Sequence, residues 1–124
     1  MGNCLFDSLN FYLKEKDSYK LRKLLVKYIR AHPELFKKDI LANKYKSVDD
    51  YCDIMKADGR DGDGIVLQAC VLLYFVKIVV YFNTAKNPLI LEPIKEPEKL
   101  IYLKYTPGHY SVQQAPVKLV ELEE

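Results

Sequence analysis

The sequence predicts a single α+β domain in which helices pack on one small, mostly antiparallel β-sheet. Its 124 residues are 49% hydrophobic, which suffices for one buried core without disulfides or metal. Helical periodicity dominates up to residue 75, whereas β-branched and aromatic residues dominate the segments that follow. Helices first and strands last are typical of this class. We expect residues 1–124 to form this one domain.

The first half of the chain carries start and stop signals for four helices. Apolar spacing predicts a first helix over about residues 7–14, and Asp17 or Ser18 can cap a second. Pro33 suits the first turn of a third helix. The "SVDD" at residues 47–50 resembles a capping box that opens a fourth. The apolar stripe of the second helix comprises Leu21, Leu24, Leu25, Tyr28 and Ile29.

The second half opens with a glycine-rich turn, "ADGRDGDG" at residues 57–64, before a buried helix over residues 65–75. A proline-punctuated connection is expected over residues 83–99. Strands are predicted at residues 76–82, at residues 100–105 and, after a turn, within residues 106–115.

Charge and hydropathy exclude two classes of partner. The formal net charge is only +2, and lysines alternate with acids along the chain, so no basic patch predicts nucleic-acid binding. The longest apolar run, residues 65–82, is interrupted by Gln68 and Lys77 and is better explained by a helix and a strand than by a membrane span. No membrane association is expected.

Cysteine usage points to a reducing, cytoplasmic location. The three cysteines are an odd count without a CxxC pair, so neither a disulfide framework nor a zinc cluster fits. Cys52 and Cys70 lie in apolar helical segments and are predicted to be core. Cys4 instead follows Gly2-Asn3 at the mouth of the first helix, where backbone N–H groups and the helix dipole favour a thiolate. We therefore consider Cys4 a candidate nucleophile.

A cysteine nucleophile needs a base, and the chain has two histidines. His32, between Ala31 and Pro33 at a helix junction, is interpreted as a surface or capping residue. His109 follows the Pro107–Gly108 turn and opens a strand, where it can face a cysteine at a helix end. Cysteine early on a helix and histidine late on a strand is the chain order of papain-like thiol hydrolases.

Three blocks, in chain order, resemble motifs of the ovarian-tumour (OTU) family of cysteine proteases. "GNCLFDSL" resembles the nucleophile motif D-G-N-C-L-F-x-x-[LI], and "GHYSV" resembles the catalytic-histidine block. Between them, "GRDGDGIVLQA" resembles the block G-x-W-G-[GD]-x-[IL]-x-L-x-A, and "LRKLLVKYIRAHPELF" resembles the helical pair that precedes it. The resemblance covers nearly the whole chain and implies a papain-like OTU fold.

The resemblance implies a deubiquitinase that hydrolyses the (iso)peptide bond after the C-terminal glycine of ubiquitin or a ubiquitin-like modifier. Cys4 would be the nucleophile and His109 the general base. Backbone N–H groups of Gly2, Asn3 and Cys4 would bind the oxyanion, although Asn3 fits a plain turn residue equally well. Neither metal nor cofactor is implied, and the expected partner of this monomer is ubiquitin or a ubiquitin-like protein.

The same resemblance implies substrate-binding residues at Tyr110, Asp61 and Gly62. In the family, the aromatic residue after the histidine lies near the channel for the Gly-Gly tail of ubiquitin. Tyr110 fits a strand residue at the edge of the core slightly better than that role.

The sequence departs from the family pattern at three positions. The family usually has Asp three residues before the cysteine, where this chain has Met1, and Asp or Asn two residues after the histidine, where it has Ser111. Asp61 replaces the tryptophan of the middle block. Ser111 is therefore the candidate third catalytic residue, and a Cys-His dyad is also workable. Other candidates to orient His109 are Asp7, Asp61, Asp63 and Asn83, although Asp63 fits the cap of the following helix better.

These departures leave alternatives to a protease. One is a catalytically weakened OTU-like domain that binds ubiquitin or another protein without cleaving it. The other is a small α+β interaction domain whose motif matches are accidental.

Overall fold

The computed structural model describes residues 2–114 and confirms the α+β class. Within those residues, helices occupy the first part of the chain and strands the second, as predicted. The predicted domain also includes Met1 and residues 115–124, which lie outside the described residues. The helices are α1 (Cys4–Leu13), α2 (Ser18–Ala31), α3 (Pro33–Ala42), α4 (Val48–Met55) and α5 (Gly64–Tyr74), and the strands are β1 (Val76–Phe82), β2 (Leu89–Leu91), β3 (Lys99–Thr106) and β4 (His109–Val112).

Three helices begin at side-chain caps of the kind that the sequence predicts. Asp17 accepts a hydrogen bond from the backbone N–H of the third residue after it, and Ser47 does the same at α4. Asp63 accepts from two backbone N–H groups at the start of α5, at 3.0 and 3.1 Å. Each cap satisfies donors that a helix start otherwise leaves unpaired.

Helix α1 begins earlier than predicted, at Cys4 instead of Asp7. Its N-cap residue, Asn3, is of a type that commonly caps helices, but its side chain makes no capping hydrogen bond. The difference matters because Cys4 becomes the first helical residue, whose backbone N–H has no partner within the helix.

The sheet is mixed, with strand order β2-β1-β3-β4. The outer pairings, β1 with β2 and β3 with β4, are antiparallel, whereas the long central pairing of β1 with β3 is parallel and departs from the antiparallel arrangement that was predicted for most of the sheet. The prediction missed β2, a three-residue strand inside the proline-rich connection. Because β2 runs back along β1, the chain returns to the end of the sheet where β1 starts. There Glu98 N–H donates to Phe75 O at 2.7 Å, and β3 begins beside β1.

The core lies between the helices and one face of the sheet. The predicted α2 stripe faces it, with Leu21, Leu25 and Ile29 fully buried. Cys52 and Cys70 are buried there as predicted. No helix in the described part of the chain combines the length and apolar character that a membrane crossing requires.

Candidate active site

The turn before Cys4 lies directly against the loop that follows α4. Gly2 is buried, and a Cβ atom placed on it would come within 1.6 Å of the Gly59 carbonyl oxygen. Gly59 N–H in turn donates to Asn3 Oδ1 at 3.1 Å. Glycine is therefore required at position 2 because two backbone segments meet there without room for a side chain.

A second glycine brings the middle sequence block against α1. A Cβ atom on Gly62 would lie 2.6 Å from Leu5 Cδ2 and 3.1 Å from Phe6 Cε2. Leu5 and Phe6 are themselves fully buried. The first and second motif blocks therefore pack on each other through Gly2 and Gly62.

The buried side chain of Arg22 connects these segments through hydrogen bonds, and the sequence did not predict this role. Its guanidinium donates through Nη2 to Asn3 Oδ1 at 2.8 Å, to Gly2 O at 3.3 Å and to Arg60 O at 2.6 Å. Nη1 donates to Met55 O at 2.7 Å. A signal was available, since Arg22, Leu25 and Ile29 follow helical spacing. That spacing places this arginine on the buried face of α2.

Arg22 is the one charged side chain that is fully buried within residues 2–114, at 0% exposure. Its guanidinium carbon lies 4.0 Å from the centre of the Phe6 ring, a cation–π geometry. Burial lowers the pKa of Arg22 from its ordinary value, while the nearby carboxylates of Asp58 and Asp61 act in the opposite direction. Arginine stays protonated under such conditions, so a fixed positive charge lies beneath the turn that leads to Cys4.

The Cys4 sulfur lies against the edge of β4. Tyr110 N–H donates to Cys4 Sγ at 3.3 Å, although the two residues are 106 positions apart in the sequence. His109, the neighbour of Tyr110, is exposed and pairs with Thr106 at the start of β4. The fold thus brings the candidate nucleophile beside the strand that carries the candidate base.

Two depressions in the surface lie next to Cys4. The first is a cavity of about 110 Å³ that contains the predicted substrate-binding residues Asp61, Gly62 and Tyr110. The second is a shallower depression of about 330 Å³ whose lining includes Asp7, His109 and Ser111. Cys4 belongs to both linings. Four of the side chains that the sequence predicts for the site, Asp61, Tyr110, His109 and Ser111, therefore line depressions that they share with the half-buried Cys4 thiol.

A comparison with protein-family models decides the family. The model described as OTU-like cysteine protease matches residues 1–110. The chain belongs to the OTU family. The accidental-match alternative is thereby wrong, and the resemblance of the three sequence blocks is confirmed. Among curated protein sequences, no significant match was found.

Solved OTU structures share the fold of this chain. An OTU domain in complex with ubiquitin aligns with a TM-score of 0.73 and 21% identity, over 90% of this chain and 63% of its own length. The OTUD1 OTU domain aligns with a TM-score of 0.70 and 22% identity, over 90% and 78% of the two chains. The Hazara virus OTU bound to ubiquitin aligns with a TM-score of 0.70 and 16% identity, over 91% and 75%.

Ser111, the predicted third catalytic residue, lines the same depression as His109. It lies two positions after His109 on β4, so both side chains leave the same face of the strand. Asp63 is occupied as the α5 cap and accepts from the Tyr51 hydroxyl at 2.8 Å. Asp7 accepts from the Ser18 hydroxyl. Met1, at the usual OTU aspartate position, lies outside the described residues.

Two further candidates to orient His109, Asn83 and Asp61, lie elsewhere in the fold. Asn83 follows the last residue of β1, so β3 separates it from β4. Asp61 lines the smaller cavity, whereas His109 and Ser111 line the larger depression, which does not include Asp61. Ser111 therefore stays the predicted residue that orients His109, and a Cys-His dyad stays the alternative.

Aromatic rings form one wall of the OTU cavity. The Tyr110 ring packs against Tyr105, with centroids 4.8 Å apart, and Tyr105 packs against Phe82 at 5.7 Å. The Tyr105 hydroxyl also accepts from Gly108 N–H at 3.3 Å, which fixes the turn before His109. Tyr105 was not singled out from the sequence, where it looks like an ordinary strand residue. Tyr110 packs against the core and also lines the cavity, a position that is compatible with both predicted roles.

Proposed function

We propose that this OTU domain is a thiol-dependent deubiquitinase that hydrolyses the (iso)peptide bond after the C-terminal glycine of ubiquitin or a ubiquitin-like modifier. The observation that carries the proposal is the 3.3 Å contact of Cys4 Sγ with Tyr110 N–H, the residue next to His109. Nucleophilic acyl transfer needs a thiol with a base beside it, and here the thiol lies at the start of α1 and the imidazole on β4. Solved OTU domains in complex with ubiquitin support the choice of substrate.

The reaction follows from the roles of the two side chains. His109 accepts the thiol proton of Cys4, and the sulfur attacks the carbonyl carbon of the substrate glycine. The oxyanion that forms accepts hydrogen bonds from the backbone N–H of Cys4 and from the Gly2-Asn3 turn. Protonated His109 then gives the proton to the leaving amine as the C–N bond breaks. Water, deprotonated by His109, hydrolyses the thioester and regenerates the thiol.

The cavity lined by Cys4, Gly62 and Tyr110 suits a slender substrate tail. Its volume is about 110 Å³, which limits the bulk of what can enter beside Cys4. A C-terminal Gly-Gly segment has no side chains and fits this limit. We place the tail against Tyr110, Gly62 and Asp61, and we propose that the domain acts as a monomer in the reducing cytoplasm.

The first prediction concerns which thiol reacts. Ubiquitin with an electrophilic C-terminal group should form one covalent adduct, on Cys4, and Cys4→Ala should form none. Burial raises the pKa of the Cys70 thiol to about 12 and also raises that of Cys52. Both therefore stay protonated and inaccessible at neutral pH. Peptide mass spectrometry locates the adduct.

Two outcomes of this experiment decide against the protease. An adduct on Cys52 or Cys70, or none at all in folded protein, contradicts the assignment of Cys4. If the protein also binds unmodified ubiquitin in a titration but cleaves no substrate, the weakened binding domain is the correct alternative.

The second prediction concerns the missing acid. Ser111→Asp places a carboxylate where OTU proteins often have one, on the same face of β4 as His109. A charged hydrogen bond that stabilises the imidazolium should raise cleavage of a fluorogenic ubiquitin substrate about tenfold, or on the order of 1.4 kcal/mol. Ser111→Asn is the matched control, because it has the same size without the charge. Equal rates for Ser111→Asp and the wild type would place the orienting group elsewhere or indicate a dyad.

A further inference from the structure

The Gly2 carbonyl points to the buried Arg22 guanidinium, at 3.3 Å from Nη2. A trans peptide unit directs its C=O and N–H to opposite sides. The N–H of the same unit belongs to Asn3, and it therefore points away from Arg22. The Asn3 side chain cannot rotate freely either, since Oδ1 accepts from both Arg22 and Gly59 N–H.

We propose that Arg22 is a positioning residue for the oxyanion site, an inference that rests on the proposed function. Its guanidinium fixes the orientation of the Gly2-Asn3 peptide, so that Asn3 N–H is directed outward before substrate arrives. Preorganised donors are effective because they need no rearrangement when the oxyanion forms. Within residues 2–114, Arg22 makes no hydrogen bond to Cys4 or to a residue that lines the cavity.

The charge of Arg22 adds an electrostatic effect to the geometric one. A cation that bonds to a carbonyl polarises the whole peptide group, and hydrogen bonds in such a chain strengthen one another. Asn3 N–H thereby becomes a stronger donor. Water does not screen this interaction, because Arg22 is 0% exposed.

A lysine at position 22 cannot make the same set of hydrogen bonds. Arg22 reaches Gly2, Asn3, Arg60 and Met55 at the same time through two separate nitrogens. A lysine ammonium is a single point with three donors and a different reach. Arg22→Lys therefore keeps the charge but releases part of the turn.

None of the hydrogen bonds of Arg22 within residues 2–114 involves the Cys4 sulfur, whose position is set by α1 and by β4. Cys4 belongs to α1, whose next residues Leu5 and Phe6 are core, and its Sγ accepts from Tyr110 on β4. The reactivity of the thiol and the stabilisation of the oxyanion can therefore be measured in separate reactions. Alkylation by iodoacetamide passes through no oxyanion, whereas cleavage of an amide or ester does.

The test compares both reactions in wild type, Arg22→Lys and Arg22→Met, at a temperature where circular dichroism shows each to be folded. We expect kcat for a fluorogenic ubiquitin substrate to fall about 10- to 100-fold in Arg22→Lys, the scale of a misplaced catalytic group, and at least as far in Arg22→Met. KM and the rate of Cys4 alkylation should change less than about threefold. Arg30→Lys, an exposed arginine on the same helix that pairs with Asp49 and Asp53, is the matched control and should leave all three quantities unchanged.

The outcomes separate this inference from the function on which it rests. An active wild type whose Arg22→Lys variant cleaves at the same rate overturns the positioning role alone. A parallel loss of cleavage and alkylation also overturns it, because that result indicates a general structural defect. A folded wild type that alkylates at Cys4 but cleaves no ubiquitin substrate overturns the proposed function, and this inference with it.

Discussion

His109→Asn is expected to slow cleavage of a ubiquitin substrate by about 100- to 10,000-fold, the usual contribution of a general acid–base residue. Asparagine is polar and of similar reach, but it cannot take the proton from Cys4 or return it to the leaving amine. The fold should remain intact because His109 is exposed at the start of an edge strand. Steady-state kinetics with a fluorogenic substrate measure the loss, and circular dichroism verifies the fold.

The second histidine provides the control for this substitution. His32 lies at the junction of α2 and α3, where Nδ1 is 3.0 Å from Tyr28 O and the ring stacks on Tyr28. His32→Asn should leave the cleavage rate within about twofold, since surface substitutions away from the site have small effects. Comparable losses in both variants would remove His109 from the mechanism.

Gly2→Ala is expected to produce the second large effect, on rate and stability together. The added Cβ would lie 1.6 Å from Gly59 O, and no side-chain rotation relieves a contact with a backbone atom. The turn must therefore shift, at a cost of about 1–3 kcal/mol in the free energy of unfolding. A displacement on the order of 1 Å at the oxyanion donors should reduce cleavage about 100-fold. Urea denaturation and steady-state kinetics report the two losses.

Gly64→Ala is the matched control for that prediction. Gly64 is the first residue of α5, and a Cβ atom there meets nothing within 4 Å. Alanine favours a helix over glycine by about 1 kcal/mol, so this variant should be as stable as the wild type or more so. A Gly2→Ala protein that matches Gly64→Ala in rate and stability would contradict the close approach of the two loops.

Local signals predicted most of the helices and the long strands. Asp17, Ser47 and Asp63 cap their helices as expected, because capping depends only on residues within one turn. Strand β2 was missed since three residues are too few to show a β pattern among prolines. The parallel pairing of β1 with β3 depends on β2, and it could not be predicted without it.

The candidate site shows the same division between local and distant information. Cys4 and His109 were found through short motifs, and Ser111 through its spacing from His109. The network of Arg22 was not found, because its acceptors Gly2, Asn3, Met55 and Arg60 come from three separate segments and three of them are backbone carbonyls. Any residue supplies a carbonyl, so sequence carries no trace of these partners.

The hydrogen bond from Tyr110 to Cys4 joins positions 106 residues apart, and this has a consequence during biosynthesis. A ribosome adds about 5–20 residues per second, so the thiol is made several seconds before the strand that completes the centre. Until β4 pairs with β3, Cys4 has no imidazole from His109 beside it. In the proposed mechanism, hydrolysis therefore becomes possible only once β4 has formed.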